Sequence, residues 1–109
     1  MRPALEGDLR VAVVGTGRMG ANHAERLART TQRARVSAVV DIDTDRANAV
    51  GSNVGRLQGS EVRVFSSIEQ VLAAECADAV VLVTPGFLHE AALVQLIDAG
   101  MPVLCEKPL

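Results

Sequence analysis

Apolar residues occur along this chain in short blocks whose period changes from one block to the next. Residues 9–15, LRVAVVG, form a valine-rich run ending on glycine, which predicts a buried strand. In 18–30, RMGANHAERLART, the spacing of Met19, His23 and Leu27 predicts a helix. A second strand is expected over 35–43, RVSAVVDID, followed by a helix over 44–57 that Gly51 and Gly55 weaken. EVRVF (61–65) alternates like an edge strand. The next segment opens on Ser66 with Glu69 three positions later, a capping-box pattern for a third helix. DAVVLVT (78–84) predicts a strand buried on both faces, FLHEAALVQLIDAG (87–100) a helix stopped by Gly100, and PVLCE (102–106) a fifth strand.

Strict alternation of strand and helix with short connections implies an α/β fold: a Rossmann-type, doubly wound parallel sheet with right-handed crossovers and the strand order 3-2-1-4-5. No repeat, linker or low-complexity stretch interrupts it. The polar segment 1–8 is expected to be an extension, with one domain over 9–109.

Composition narrows the function. The formal net charge is −2, which argues against nucleic acid or an anionic membrane as partner. Two Phe and no Tyr or Trp leave no platform for stacking bases. The apolar run of the first strand breaks at Gly15, too early for a signal peptide or a membrane span. Cys76 and Cys105 lie far apart without metal-ligand spacing, so no metal site is expected, and free thiols point to the cytoplasm.

Candidate chemistry collects at the expected strand ends. Gly15, Gly17 and Gly20, with Thr16, Arg18 and Met19 between them, make G-x-G-x-x-G after a strand and at the start of a helix. Gly15 suits a tight turn, Gly17 a close approach of backbone to a pyrophosphate, and Gly20 close packing of helix on strand. The helix N-terminus then offers free N–H groups to phosphate. The spacing leaves Arg18 two placements, over the pyrophosphate or toward solvent. His23, one turn into the helix, fits a packed position better than a catalytic one.

Asp41 follows Gly20 by 21 positions, near the spacing of about 20 expected for a carboxylate that binds the adenosine ribose. Such an acid, with Ile42 beside it, favours NAD and makes NADP the weaker choice. Two other readings remain: Asp41 as a turn residue, and Asp43 as the cap of the second helix. Arg46 is expected inside that helix, several residues away. Thr84 and Pro85 end the fourth strand, and His89 lies at the start of the next helix. Glu106 and Lys107 leave the neighbouring fifth strand at the same end. Lys107 is the sole lysine in the chain. Its ammonium can assist deprotonation of a substrate hydroxyl during hydride loss. Read alone, E-K-P is equally a solvated segment.

Taken together, G-x-G-x-x-G, the acid after strand two, T-P-x-x-x-H and E-K-P resemble the glucose–fructose oxidoreductase and inositol dehydrogenase family from Leu9 to Leu109. The specific part is TPGFLHE with AGMPVLCEKPL. The resemblance implies an NAD-dependent oxidoreductase acting on a cyclitol or sugar hydroxyl, with Lys107 catalytic. It places Thr84, Pro85, His89 and Glu106 around the nicotinamide half. It also implies a homo-oligomer, a small-molecule polyol or sugar substrate, and a place for some members in antibiotic sugar or aminocyclitol biosynthesis. The family usually has Asn where Gly86 stands. The resemblance further implies that the chain stops before the last helix and strand of the nucleotide fold and before a substrate domain. The rival expectation is a stand-alone dinucleotide-binding module without catalysis.

Overall fold

The computed structural model describes residues 9–15, 17, 20–22, 24–26, 34–83 and 86–105, with the backbone alone at 86–89 and 105. Five strands, β1 (Leu9–Val14), β2 (Ala34–Val40), β3 (Arg63–Phe65), β4 (Ala79–Leu82) and β5 (Val103–Cys105), form one parallel sheet in the order β3-β2-β1-β4-β5. Helix α1 is described at residues 20–22 and 24–26. It is followed by α2 (Thr44–Gln58), α3 (Ile68–Ala74) and α4 (Gly86–Asp98). The expected order and class hold.

Each central strand is apolar on both faces because helices cover both. Val11 and Val13 of β1 pack with Ala24 of α1 and with Ala47 and Val54 of α2. Ala12 and Val14 point the other way, toward Val71 of α3 and Ala92 and Leu96 of α4. Full burial of each such valine or leucine stabilises the fold by about 1.5–3 kcal/mol. One irregularity sets the facing of β2. Val11 pairs with Val36 but Ala12 pairs with Ala38, so Ser37 is an extra, bulged residue. The bulge puts Val36 and Val39 on the α2 side and Ala38 and Val40 on the α3 side. Ser37 is buried, and its hydroxyl has no partner among the described residues.

Several local expectations shift. The second strand ends at Val40, which leaves Asp41, Ile42 and Asp43 in the turn. α2 runs unbroken through both glycines. A Cβ at Gly51 would stand 2.9 Å from the Val64 side chain, so the residue that weakens the helix lets it lie close on β3. The cap of α3 is Ser67, whose hydroxyl accepts from the Gln70 N–H at 3.3 Å; it is not Ser66 with Glu69. The Gln70 side chain reaches back to the Ser66 N–H at 2.8 Å, so the capping pattern is one residue later and uses Gln. Gly100 does stop α4. At φ +73° it donates to the Ile97 carbonyl, while Met101 donates to Leu96, the paired bonds of a Schellman motif.

At the amino end of the sheet, polar groups close on one another. Arg10 of β1 grips Asp78 through Nε and Nη2 at 3.2 and 3.0 Å, its backbone N–H adds a 2.8 Å bond, and Nη1 donates to the Glu75 carbonyl. These bonds hold the Asp78 carboxyl below its ordinary value of 3.8. β3 pairs with β2 only from Ala38 onward, so the edge of β2 at Val36 needs another partner. Buried Gln58, the last residue of α2, supplies it. Its Oε1 accepts from the Val36 N–H at 3.0 Å and its Nε2 donates to the Val36 carbonyl at 2.8 Å. The side-chain amide thus takes the place of one residue of a missing strand.

Candidate functional site

The carboxyl ends of β2, β1 and β4 lie side by side because hydrogen bonds continue one step past each strand. Gly15 N–H donates to the Val40 carbonyl at 2.7 Å, Val83 N–H to Val14 at 2.8 Å and Asp41 N–H to Phe65 at 3.2 Å. The glycine turn, the acid after β2 and the segment after β4 therefore share one end of the sheet. Connections from β1 and β4 run to opposite faces there, which is the switch point where open α/β sheets bind ligands. Cys105 is in register with Leu82, so β5 ends beside β4 at this same end of the sheet.

Within the turn, Gly15 has φ +98°, a conformation that disfavours side chains. Gly20, in α1, lies against the Gly15 backbone: a Cβ there would overlap the Gly15 carbonyl oxygen and stand 2.7 Å from its carbon. Only glycine lets α1 start this close to the end of β1. Gly17 differs, for a Cβ there would meet nothing within 4 Å among the described residues. The loop thus has a closed side, where the helix seats, and an open side at Gly17. Ala21 N–H already donates to the Gly17 carbonyl at 2.9 Å.

Asp41 is buried, 9% exposed, at the mouth of this turn, next to Ile42, which is 83% exposed. Asp43 caps α2: its carboxylate accepts from the Arg46 N–H at 3.1 Å. Both readings of this stretch therefore hold together, Asp43 as cap and Asp41 at the strand end. The Arg46 side chain departs from its expected place. Its backbone lies in α2, but the guanidinium folds back across the turn and Nη2 donates to Asp41 Oδ2 at 3.1 Å. Asp41 Oδ1 accepts from the Asp43 N–H at 3.0 Å. Residues five apart across a strand-to-helix turn meet because the chain reverses there, a signal that helix periodicity does not carry.

Of the other predicted residues, His89 belongs to α4, of which only the backbone is described at that point. Thr16, Arg18, Met19, His23, Thr84, Pro85, Glu106 and Lys107 lie outside the described residues. No group of three or more His, Cys, Asp or Glu able to hold a metal occurs among the described residues.

An open glycine turn beside a strand-end carboxylate at a switch point defines a nucleotide-binding Rossmann protein. The chain belongs to the GFO/IDH/MocA oxidoreductase family, with an NAD-binding Rossmann fold, which matches residues 9–109. It is 46% identical over 101 residues to an inositol 2-dehydrogenase of Renibacterium salmoninarum, a match covering 93% of this chain and 29% of that protein. Against an inositol 2-dehydrogenase of Leifsonia xyli subsp. xyli it is 47% identical over 102 residues, covering 94% and 28%. Among solved structures, myo-inositol dehydrogenase from Lactobacillus casei in complex with NAD(H) and myo-inositol superposes with a TM-score of 0.82 at 34% identity, covering 93% of this chain and 29% of that one. GenD2 from gentamicin A biosynthesis, in complex with NAD, gives a TM-score of 0.82 at 37% identity, covering 99% and 29%. The chain therefore spans a little over a quarter of the length of these relatives. No helix among the described residues is long and apolar enough to cross a membrane.

Proposed function

We propose that this chain supplies the NAD-binding part of an oxidoreductase that oxidises or reduces a hydroxyl of a cyclitol or sugar. The observation that carries the reading is the asymmetry of the glycine turn: Gly20 is sealed against Gly15, while nothing among the described residues lies within 4 Å of a Cβ at Gly17. A pyrophosphate needs such an opening at the N-terminus of a helix. Gly15, Thr16, Gly17, Arg18, Met19 and Gly20 would hold the pyrophosphate, and Asp41 and Ile42 the adenosine half. Thr84, Pro85, His89 and Glu106 would line the nicotinamide half. The dinucleotide held there would supply the hydride acceptor for oxidation, or the hydride donor for reduction, at the substrate carbon. Lys107 would assist movement of the substrate hydroxyl proton. The inositol dehydrogenases named above support a polyol substrate, and GenD2, from gentamicin A biosynthesis, supports a place in antibiotic biosynthesis. The buried free thiol of Cys76 suits a reducing cytoplasm.

The test uses Gly17→Val. Its side chain meets none of the described residues within 4 Å, so the melting temperature should stay close to that of the parent chain while NADH affinity falls at least about tenfold by calorimetry. Unchanged affinity would remove Gly17 from the site. In the enzyme carrying this chain, Lys107→Met should nearly abolish turnover on a polyol panel and leave NADH binding intact. NADH binding with no turnover in the parent enzyme on any polyol or sugar would favour the non-catalytic module.

A further inference from the structure

The Asp41–Arg46 pair carries a consequence for which dinucleotide the site accepts, on the reading that the site holds one. Both carboxylate oxygens of Asp41 are engaged from its own turn, Oδ1 by the Asp43 N–H and Oδ2 by Arg46 Nη2. The two side chains differ in exposure: 7% for Asp41 and 49% for Arg46. The guanidinium is therefore half in water, with Nη2 on the acid and four further N–H donors beyond that bond. We infer that Arg46 is a dormant receptor for an adenosine 2′-phosphate, held in check by the charge of Asp41, so that the pair and not Asp41 alone sets the choice between NAD and NADP.

While Asp41 is ionised, its negative charge largely cancels that of Arg46, and a 2′-phosphate dianion arriving at the ribose position meets a buried carboxylate. A free 2′-hydroxyl meets no such penalty and can donate to the acid. If the charge on Asp41 is removed without changing its shape, the arginine stays beside the ribose position with its charge uncompensated. Guanidinium groups bind phosphate through paired N–H donors, and these charge-assisted bonds are among the strongest in proteins. The backbone of Arg46 is held in place at that position, because its N–H donates to the Asp43 cap at 3.1 Å.

The experiment measures NADH and NADPH affinities by calorimetry on the parent chain, Asp41→Asn, Asp41→Ser, Arg46→Met and the double variant Asp41→Asn/Arg46→Met. Asn keeps an oxygen that can accept from the Asp43 N–H, so the turn is retained, and Ser gives a second route to the same loss of charge. The parent should prefer NADH. Asp41→Asn and Asp41→Ser should raise NADPH affinity at least about tenfold, and the double variant should lose that gain. Arg46→Met alone should not improve NADPH binding. The gain should also shrink as salt is raised, because a half-exposed ion pair is screened. A gain that persists without Arg46, or no gain in either Asp41 variant while NADH still binds the parent, overturns the inference and leaves the dinucleotide reading standing. Failure of the parent to bind either dinucleotide overturns both.

Discussion

At the amino end of the sheet Arg10, Asp78 and the Glu75 carbonyl form a closed set, and Gln58 completes the backbone of Val36. At the carboxyl end Gly17 has open space among the described residues, Ile42 is largely exposed, and the guanidinium of Arg46 is half in water. The same five strands run through both ends, so the difference lies in the turns. Where the chain enters strands, polar groups are matched within the fold and serve stability. Where it leaves strand β2, side chains of the turn lie exposed, an arrangement suited to binding. Fold and site are thus separable to a useful degree, and substitutions can test how far.

The largest effect should come from Gly20→Ala, which joins the two ends of the comparison. Its Cβ collides with the Gly15 carbonyl, a rigid neighbour, so α1 must move off the sheet. A loss of about 3 kcal/mol is expected in denaturant unfolding, together with NADH binding. If Gly20→Ala keeps its stability and loses only NADH affinity, the closed side of the turn belongs to binding alone. Gly17→Val is its counterpart, with affinity lost and fold kept.

Next is Gln58→Leu, a test confined to the stability end. It strands the N–H and carbonyl of Val36 in a buried edge, at a cost of about 2–3 kcal/mol, with NADH affinity of the folded fraction unchanged. A change in affinity of the folded protein would show that the two ends are coupled through β2.

The smallest effect belongs to Asp78→Asn. Hydrogen bonds from the Arg10 side chain and backbone lower the Asp78 carboxyl in the folded chain, so in acid the unfolded chain binds more protons and stability rises with pH. The contribution is complete above the unfolded value of 3.8 and is lost as pH falls through the lowered folded value. Both side chains are more than a third exposed, so solvent screening keeps the contribution under about 1 kcal/mol. Parent and variant should therefore differ slightly at pH 7 and converge in strong acid when melted side by side. A gap that stays constant with pH would assign the effect to packing instead of charge.

Strand order, the position of the glycine turn and the siting of Asp41 were legible from the residues alone. Short valine-rich runs bounded by glycine and aspartate have few other folded solutions, and parallel crossovers have one hand. The helix glycines were harder to read. Propensity marks Gly51 as a weakness, and only the nearness of Val64 shows why α2 needs it. The α3 cap was missed by one residue because Ser66 and Ser67 are equal as acceptors. Which of them caps was decided by where β3 ended.

By itself, then, the sequence determined what depends on neighbours along the chain: the periods that make strands and helices, the glycines that permit the turn, the spacing from Gly20 to Asp41. Tertiary structure decided what depends on neighbours across it. The bulge at Ser37 sets which valines face which layer, Gln58 finds Val36 from 22 residues away, and Arg46 turns back onto Asp41. These pairings arise from how packed layers bring chain ends and turns together, and no local pattern of apolar and polar residues encodes that distance.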